Sequence, residues 1–506
     1  MGSVEEHQDL TPSPHLPSLD GDVLTSLRAH LAEAGYTTDR IAERLGGGRI
    51  SFAPVDVVVH LRRLPPEEPF AALVRLLLLG LTLDVEHVER AFWPLDLETL
   101  LRSGWLEARG GGVGAVLKVV PHGDLLIASD HDAERPPGFD WVAGIHPPSV
   151  TLAKLTVRQN VERSLDTGTG NGIQALLASR HARFAVATDV NPRALAIATL
   201  NTRLNDVANL EYRQGSYFEP VAGEQFDLLT CNPPYVISPE TQYAFRDSGL
   251  ERDDVSRHVV QAAPHVLREG GFAHLLVSWA HSPGDWSTPL ERWVDGSGCD
   301  VWLLYFGSDD PITYAAGWLK PIAGTTRETF EKAFTRWLNY LERHDISAIA
   351  HGAVILRRRT GGRNWLRKDT CSLDRLEQAG DHILRVFDAE DYLNSLTEPS
   401  QLLDADFALV ATHHLEQTTT LRNGQPDATT NTIALDEGIG FRAALDDQTA
   451  ALLPLLDGKR PLRAALAQRA ADLNLHGKDA ARFQTAAIPA VRRLIQLGLL
   501  AQTPVP

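Results

Sequence analysis

Apolar positions fall into helical spacing at both ends of the chain and into short, turn-bounded runs in the middle. From Asp22 to Ala34, Val23, Leu24, Leu27 and Leu31 recur at helical intervals, and Gly35 closes the segment where a left-handed cap is common. A second short helix is predicted over Thr38–Leu45, ending at Gly46-Gly47-Gly48. Residues 70–83 form a 14-residue apolar stretch with Arg75 inside it, short of the ~20 residues that a bilayer span needs, so they predict a buried helix. After a turn at Gly80, helices are predicted over Val85–Phe92 and Leu95–Ser103, then a hairpin of Trp105–Ala108 against Ala115–Val120, a winged-helix-like pattern. Residues 136–360 alternate strands and helices, with strands expected at Ser164–Asp166, Phe184–Asp189, Leu210–Gln214, Phe226–Thr230, Phe272–Val277, Val301–Phe306 and Ile346–Arg357. Seven such strands predict an α/β fold built on a doubly wound parallel sheet. A helix over Ala450–Leu456, a turn at Asp457-Gly458 and helices over Leu462–Leu473 and Ala486–Leu497 give the C-terminus a similar winged-helix-like outline.

These regimes divide the 506 residues into a Pro/Ser-rich disordered tail (1–20), a helical, winged-helix-like domain (21–135), a sheet domain (136–362) and a C-terminal α+β domain (363–506), consistent with about 100–200 residues per domain. Hydrophobic residues at 43% and charged residues at 22% indicate globular structure and exclude collagen, coiled coil and mucin. Acidic residues outnumber basic ones by 65 to 48, and the net charge of −17 repels nucleic acid and anionic membranes at long range, so any nucleic-acid contact must be local. The 41 Arg and seven Lys fit a GC-rich coding bias and carry no function by themselves. In the N-terminal domain, residues 84–107 carry six acidic residues against Arg90 and Arg102, the opposite balance from a DNA major-groove reader, which favours packing or protein recognition. Cys231, Cys299 and Cys371 are far apart, so neither a disulfide framework nor a zinc site is expected. Glu5, Glu6, Asp9 and three early prolines are unlike a signal peptide, and a cytoplasmic protein without membrane attachment is expected.

Chemistry concentrates where the central strands end. The run Asp166-Thr167-Gly168-Thr169-Gly170-Asn171-Gly172 joins the first strand to a helix; Gly168 and Gly170 allow a sharp turn and close approach of a ligand, and the helix N-terminus offers N–H groups. Alone, such a turn also closes ordinary strand-to-helix joints. Asp189, 21 residues after Gly168, ends the second strand at the spacing of an acid that binds ribose hydroxyls. A dinucleotide dehydrogenase shows both features, yet its G-x-G-x-x-G wants glycine where this chain has Ile173. Cys231-Asn232-Pro233-Pro234-Tyr235 follows the fourth strand. An Asn oxygen and the Pro233 carbonyl can accept two N–H bonds, and a Tyr ring can stack on a flat group bearing –NH2.

Asp166-x-Gly168-x-Gly170-x-Gly172, Asp189 and Asn232-Pro233-Pro234-Tyr235 together resemble the class I S-adenosylmethionine-dependent methyltransferases of the N-P-P-Y group, within it the HemK-type enzymes that methylate release factor glutamines. The stretch Phe245–Val260 with Leu267–Gly271 is also similar, and the resemblance covers roughly residues 140–280. It implies a seven-stranded Rossmann-like sheet and S-adenosylmethionine as cofactor. It implies further that Asp166, Gly168, Thr169, Gly170 and Gly172 hold the methionine end, that Asp189 holds the ribose, and that Val190, Ser216 and Tyr217 also bind the cofactor. Asn232, with Pro233, Pro234 and Tyr235, would hold the acceptor and carry catalysis, and Asn232 would also border the cofactor. Where the family places an acid for the adenine amino group, this chain has Gly215-Ser216-Tyr217-Phe218, and Ser216 accepts a single bond. The loop Gly144–Thr151 matches the family only loosely and is given no role beyond a lid.

The expected reaction is N-methylation of a planar nitrogen of a macromolecule, with a protein glutamine, such as that of a release factor, favoured. Adenine N6-methylation of RNA or DNA fits N-P-P-Y equally, and a non-catalytic binding protein that kept the fold is a further alternative. Arg357, Arg358, Arg359, Arg363, Arg367 and Lys368 around Trp365 suit either RNA or ribosome contact or a solvated sheet edge. No metal site is expected: His413 and His414 are adjacent on a predicted strand, so they point to opposite faces.

Overall fold

The computed structural model describes residues 15–47, 54–131, 140–240, 250–320, 326–410 and 412–502. They form two compact units, one running to Ala153 and from Gln159 to Thr370, the other made of Lys154–Arg158 and the chain from Cys371 onward. No described helix is long and apolar enough to cross a membrane.

The first unit is built on one mixed sheet of strands β1 (Val161–Thr167), β2 (Ala182–Asp189), β3 (Leu210–Gln214), β4 (Phe226–Cys231), β5 (Leu267–His281), β6 (Cys299–Asp309), β7 (Ala348–Arg358) and β8 (Leu366–Thr370). Their order is β3-β2-β1-β4-β5-β7-β6-β8. Strand β7 is antiparallel to both its neighbours and every other pairing is parallel. All seven expected strand segments fall on β1–β7. The eighth corrects the expected count and lies beyond the boundary drawn at residue 362. Its residues are alternately exposed and half-buried, a charged edge without the apolar run that marks an inner strand.

That edge also accounts for the basic segment. Arg357 lies 2.6 Å from the fully buried Asp300 and Arg359 3.5 Å from it. Arg358 donates to the Ser297 carbonyl at 2.5 Å, Arg367 pairs with Asp369 at 2.5 Å and stacks over Trp302, and Lys368 meets Glu291 at 2.9 Å. Trp365 is half-buried and Arg363 exposed. The charges bind sheet to edge, because a buried carboxylate must be paired. An Arg357/Arg358/Arg359 triple Ala variant is therefore expected to lower the urea midpoint without changing the salt dependence of nucleic-acid binding.

The N-terminal layer of this unit differs from the expected outline in three places. Residues 16–18 are docked: Pro17 is buried and the Ser18 N–H reaches the Ser103 carbonyl at 2.7 Å. The predicted tail is thereby shortened at its end, and its first 14 residues lie outside the described residues. The buried segment is helical only over Pro69–Leu78, with a π-turn from Val74. In place of one hairpin there are two, Leu106–Arg109 with Gly112–Ala115 and Lys118–His122 with Leu125–Ser129. Glycines at 110, 111 and 123 supply the positive φ that each tight turn requires. Helix α1 (Ile173–Ala178) follows β1 and α2 (Pro192–Leu204) follows β2. A single buried cluster runs through the N-terminal helices, the hairpins, Val142 and the inner face of α2 at Ala194, Ile197, Leu200 and Leu204.

In the second unit, helices Gly380–Ser395, Leu462–Asp472 and Gly477–Gln496 pack with two three-stranded sheets around Phe407, Leu466, Val491 and Leu499. The turn expected at Asp457-Gly458 opens the strand Asp457–Pro461, and the last helix starts nine residues earlier than predicted. His414 pairs with Glu416 and Asp436, and the His413 ring meets the Val410 carbonyl. Among the described residues no group of three metal-ligating side chains occurs.

Candidate active site

A cavity of about 300 Å³ opens at the carboxyl ends of β1, β2 and β4, where the strand order reverses beside β1 and two loops diverge. Of the residues singled out in the sequence, Asp166, Gly168, Thr169, Gly170, Asp189, Val190, Ser216, Tyr217, Asn232 and Pro234 line it. Gly172, Pro233 and Tyr235 do not.

Gly168 (φ +68°) and Gly170 (φ +55°) have nothing within 4 Å of where a Cβ would stand, so the backbone is bare toward the cavity. Gly172 (φ +86°) serves packing instead: a Cβ there would sit 3.0 Å from the Ala198 Cβ of α2 and 3.2 Å from the Tyr212 hydroxyl. Gly172→Ala is expected to cost about 2 kcal/mol, from the left-handed backbone and the crowding, as read by urea unfolding.

The expected free N–H groups at the start of α1 are largely used within the chain. Gly170 N donates to Asp189 Oδ2 at 2.9 Å, Gly172 N to the Thr169 carbonyl at 2.9 Å and Ile173 N to Asn171 Oδ1 at 3.0 Å. Asp189 accepts at its other oxygen from Asn191 N at 2.9 Å, so the proposed ribose acid is held rigidly by the glycine turn. Burial raises its pKa against these bonds.

Asp166 sits deeper. Thr169 Oγ1 donates to one oxygen at 2.6 Å and Thr230 Oγ1 to the other at 2.9 Å. Burial nonetheless pushes its carboxyl up to about 6; the two hydroxyls pull down and Asp189 adds a small upward push. Tyr217 takes a left-handed φ of +44°. Its carbonyl accepts from Thr167 and Thr188, each at 3.0 Å, and this pair of bonds fixes the turn that sets Ser216 and Tyr217 on the cavity wall. Val190, 52% exposed, offers an apolar rim.

Asn232 stands at the end of β4 with its Oδ1 buried and without a hydrogen-bond partner among the described residues. The Pro233 carbonyl accepts from Tyr235 N at 2.8 Å, which leaves one lone pair. Tyr235 is half-buried and its phenol is pushed up by burial.

Trp141 and His146, Ser149 from the helix Pro147–Leu155, and Asn171, Gln174 and Asn191 complete the wall; His146 and Ser149 lie in the segment expected as a lid, and the others were not assigned from the sequence. Asn191 carried a usable signal, an Asx cap before Pro192 at a helix start. The segment from Gly144 carried only a loose match, and Trp141 lies outside the motif spacing.

A family profile described as Methyltransferase small domain matches residues 147–285, and two described as domains of unknown function match residues 33–116 and 384–502. A Methanocaldococcus jannaschii chain named as a candidate protein N5-glutamine methyltransferase is 30% identical over 138 residues, 26% of this chain and 68% of its own. A release factor glutamine methyltransferase of Aliivibrio fischeri is 35% identical over 135 residues, 26% of this chain and 44% of its own. One of Cereibacter sphaeroides is 34% identical over 139 residues, 25% of this chain and 50% of its own. The chain spans about half the length of these release factor relatives. The glycine turn, Asp189, Asn232 and Pro234 meet at one cavity inside the matched region, and this chain belongs to the HemK-like class I methyltransferases.

Proposed function

We propose that this protein transfers a methyl group from S-adenosylmethionine to the side-chain amide nitrogen of a protein glutamine. The observation that carries the reading is the buried, unpartnered Oδ1 of Asn232 at the cavity wall. An unsatisfied buried acceptor costs about 1–3 kcal/mol, which an arriving N–H donor recovers. The cavity's residues suit the cofactor. Bare glycine backbone at 168 and 170 admits its methionine end, Asp189 accepts from ribose hydroxyls, and Val190, Ser216 and Tyr217 face its base. When bound, S-adenosylmethionine supplies a methyl group activated by the sulfonium.

The chain's own task is to make a poor nucleophile competent. An amide nitrogen has its lone pair delocalised. Asn232 Oδ1 and the remaining lone pair of the Pro233 carbonyl accept its two N–H bonds, which favours a pyramidal nitrogen and stabilises the positive charge that grows on it. The methylated nitrogen then loses its proton to water, so no side-chain base is required. Tyr235 and Pro233 belong to the acceptor side of the site, off the cofactor cavity. The net charge of −17 and the paired basic edge favour a protein acceptor over nucleic acid.

Labelled cofactor incubated with the protein and a fractionated lysate is expected to leave a label that protease removes and nuclease does not; a nuclease-sensitive label would replace glutamine by adenine. In a thermal-shift titration, S-adenosylmethionine is expected to raise the melting temperature progressively and NAD to leave it unchanged. No shift at millimolar cofactor would leave a binding protein that merely keeps the fold.

A further inference from the structure

Among the described residues, the N-terminal layer lines no part of the cofactor cavity itself, yet it is tied to residues 140–149, which do. We propose that Asp130 is a positioning residue that makes this layer part of the cofactor site, an inference that rests on the methyltransferase reading above.

The layer's last hairpin strand, Leu125–Ser129, is clamped to α2 by two asparagine amides. Asn201 accepts from Ala128 N at 2.7 Å and donates to the Ala128 carbonyl at 2.9 Å. Asn205, one helical turn later, does the same with Leu126 at 2.9 and 2.8 Å. Side chains four residues apart on a helix share a face, and alternate strand residues share an edge, so the two pairs fall into register. The strand is thus paired on its free edge as a neighbouring strand would pair it.

Directly after that strand, Asp130 forms a two-point ion pair with Arg193 in the first turn of α2, at 2.5 and 3.0 Å. Their side chains are 6% and 9% exposed. The same carboxylate accepts from Val142 N at 2.8 Å, and Asp130 N donates to the Val142 carbonyl at 3.1 Å. Val142 belongs to the strap 140–149, whose Trp141, Val142, Ala143, Gly144, His146 and Ser149 line the cavity. Three amides hold the strap from the cofactor-binding side: Asn191 donates to the Asp140 carbonyl at 2.9 Å, Asn171 to Ala143 at 3.0 Å and Gln174 to Ser149 at 2.7 Å. On the other side Asp130 is the charged anchor, beside the Trp141 indole N–H, which donates to the His131 carbonyl at 3.1 Å.

This arrangement assigns the strap's position, and hence cofactor retention, to a residue that does not itself line the cavity. A charged pair is suited to the task because its two-point geometry fixes direction as well as distance. It also explains why an acid-rich layer with little capacity for nucleic acid is fused by a common core to the sheet domain.

The test measures S-adenosylhomocysteine binding by calorimetry, KM and kcat, and hydrogen exchange over residues 140–149. Asp130→Ala is expected to weaken binding and raise KM for the cofactor about tenfold or more, with kcat at saturation within about threefold, and to speed exchange in the strap. Asp130→Asn, which keeps an acceptor for Val142 N, should recover most of the affinity. If Asp130→Ala does not fold, Arg193→Ala, which frees the same carboxylate from α2 and does not line the cavity, should show the same faster exchange and weaker binding. Unchanged affinity and unchanged strap exchange in the folded variants would overturn the positioning role while leaving the methyltransferase reading intact. Failure of the unaltered protein to bind S-adenosylhomocysteine would overturn both.

Discussion

Asn232→Ala is expected to lower methyl transfer by about 10²–10³-fold, the usual effect of removing one preorganised polar contact to a transition state, while cofactor affinity and thermal stability hold. The two halves of this expectation have separate causes. Turnover falls because the acceptor nitrogen loses one of the two oxygens that draw its lone pair out of conjugation. Stability holds because Asn232 Oδ1 makes no hydrogen bond among the described residues, so truncation removes an unsatisfied buried acceptor and breaks nothing; a small gain is the expected sign. Steady-state transfer from labelled cofactor, with calorimetric binding of S-adenosylhomocysteine beside it, reads both. Undiminished turnover in the Ala variant would remove Asn232 from catalysis. Turnover and binding lost together would make it a cofactor-holding residue instead.

Cofactor affinity is expected to fall as pH drops through about 6, with a limiting slope of about tenfold per pH unit. Asp166 carries this dependence, because burial pushes its carboxyl up to about 6 against the pull of Thr169 and Thr230. The sign follows from proton counts. With an unfolded carboxyl near 3.9, the native state holds the extra proton between about pH 4 and 6, so stability without cofactor declines as pH rises across that window, by about 3 kcal/mol in all. A cationic cofactor favours the ionised carboxylate, and binding below pH 6 therefore releases a proton. Calorimetry in buffers of different ionisation enthalpy measures that release directly. Asp166→Asn is expected to abolish the release and to be more stable than the parent above pH 6, at the expense of affinity. Affinity that stays flat from pH 5 to 7.5 would show that Asp166 does not sense the cofactor's charge.

The candidate site was legible to the extent that its chemistry is local. Gly168, Gly170, Asp189 and Asn232 each stand at the carboxyl end of a strand whose apolar run announces it, and β-sheet topology alone brings such ends together. Gly172 belonged to the same pattern by spacing, but its neighbour is Ala198, a contact set by how closely α2 packs. Tyr235, three residues beyond Asn232, turns off the cavity because the chain tightens at Pro233, whose carbonyl takes the Tyr235 N–H. The basic segment shows the same limit: counted along the chain it is a positive patch, while in space Asp300, Asp369 and Glu291 lie against it.

By itself, then, the sequence determined the strands β1–β7, the helices with regular apolar spacing, and the glycine turn that lines the cavity, because these depend on backbone geometry and nearest neighbours. Tertiary structure alone decided the eighth strand, the strap with its Asp130–Arg193 anchor, and the pairing of the basic edge. Each of these is held by partners tens of residues away: 63 separate Asp130 from Arg193 and 57 separate Asp300 from Arg357. A buried charge or backbone amide takes whichever complementary group the packed core brings within reach, and no local pattern along the chain records which one that will be.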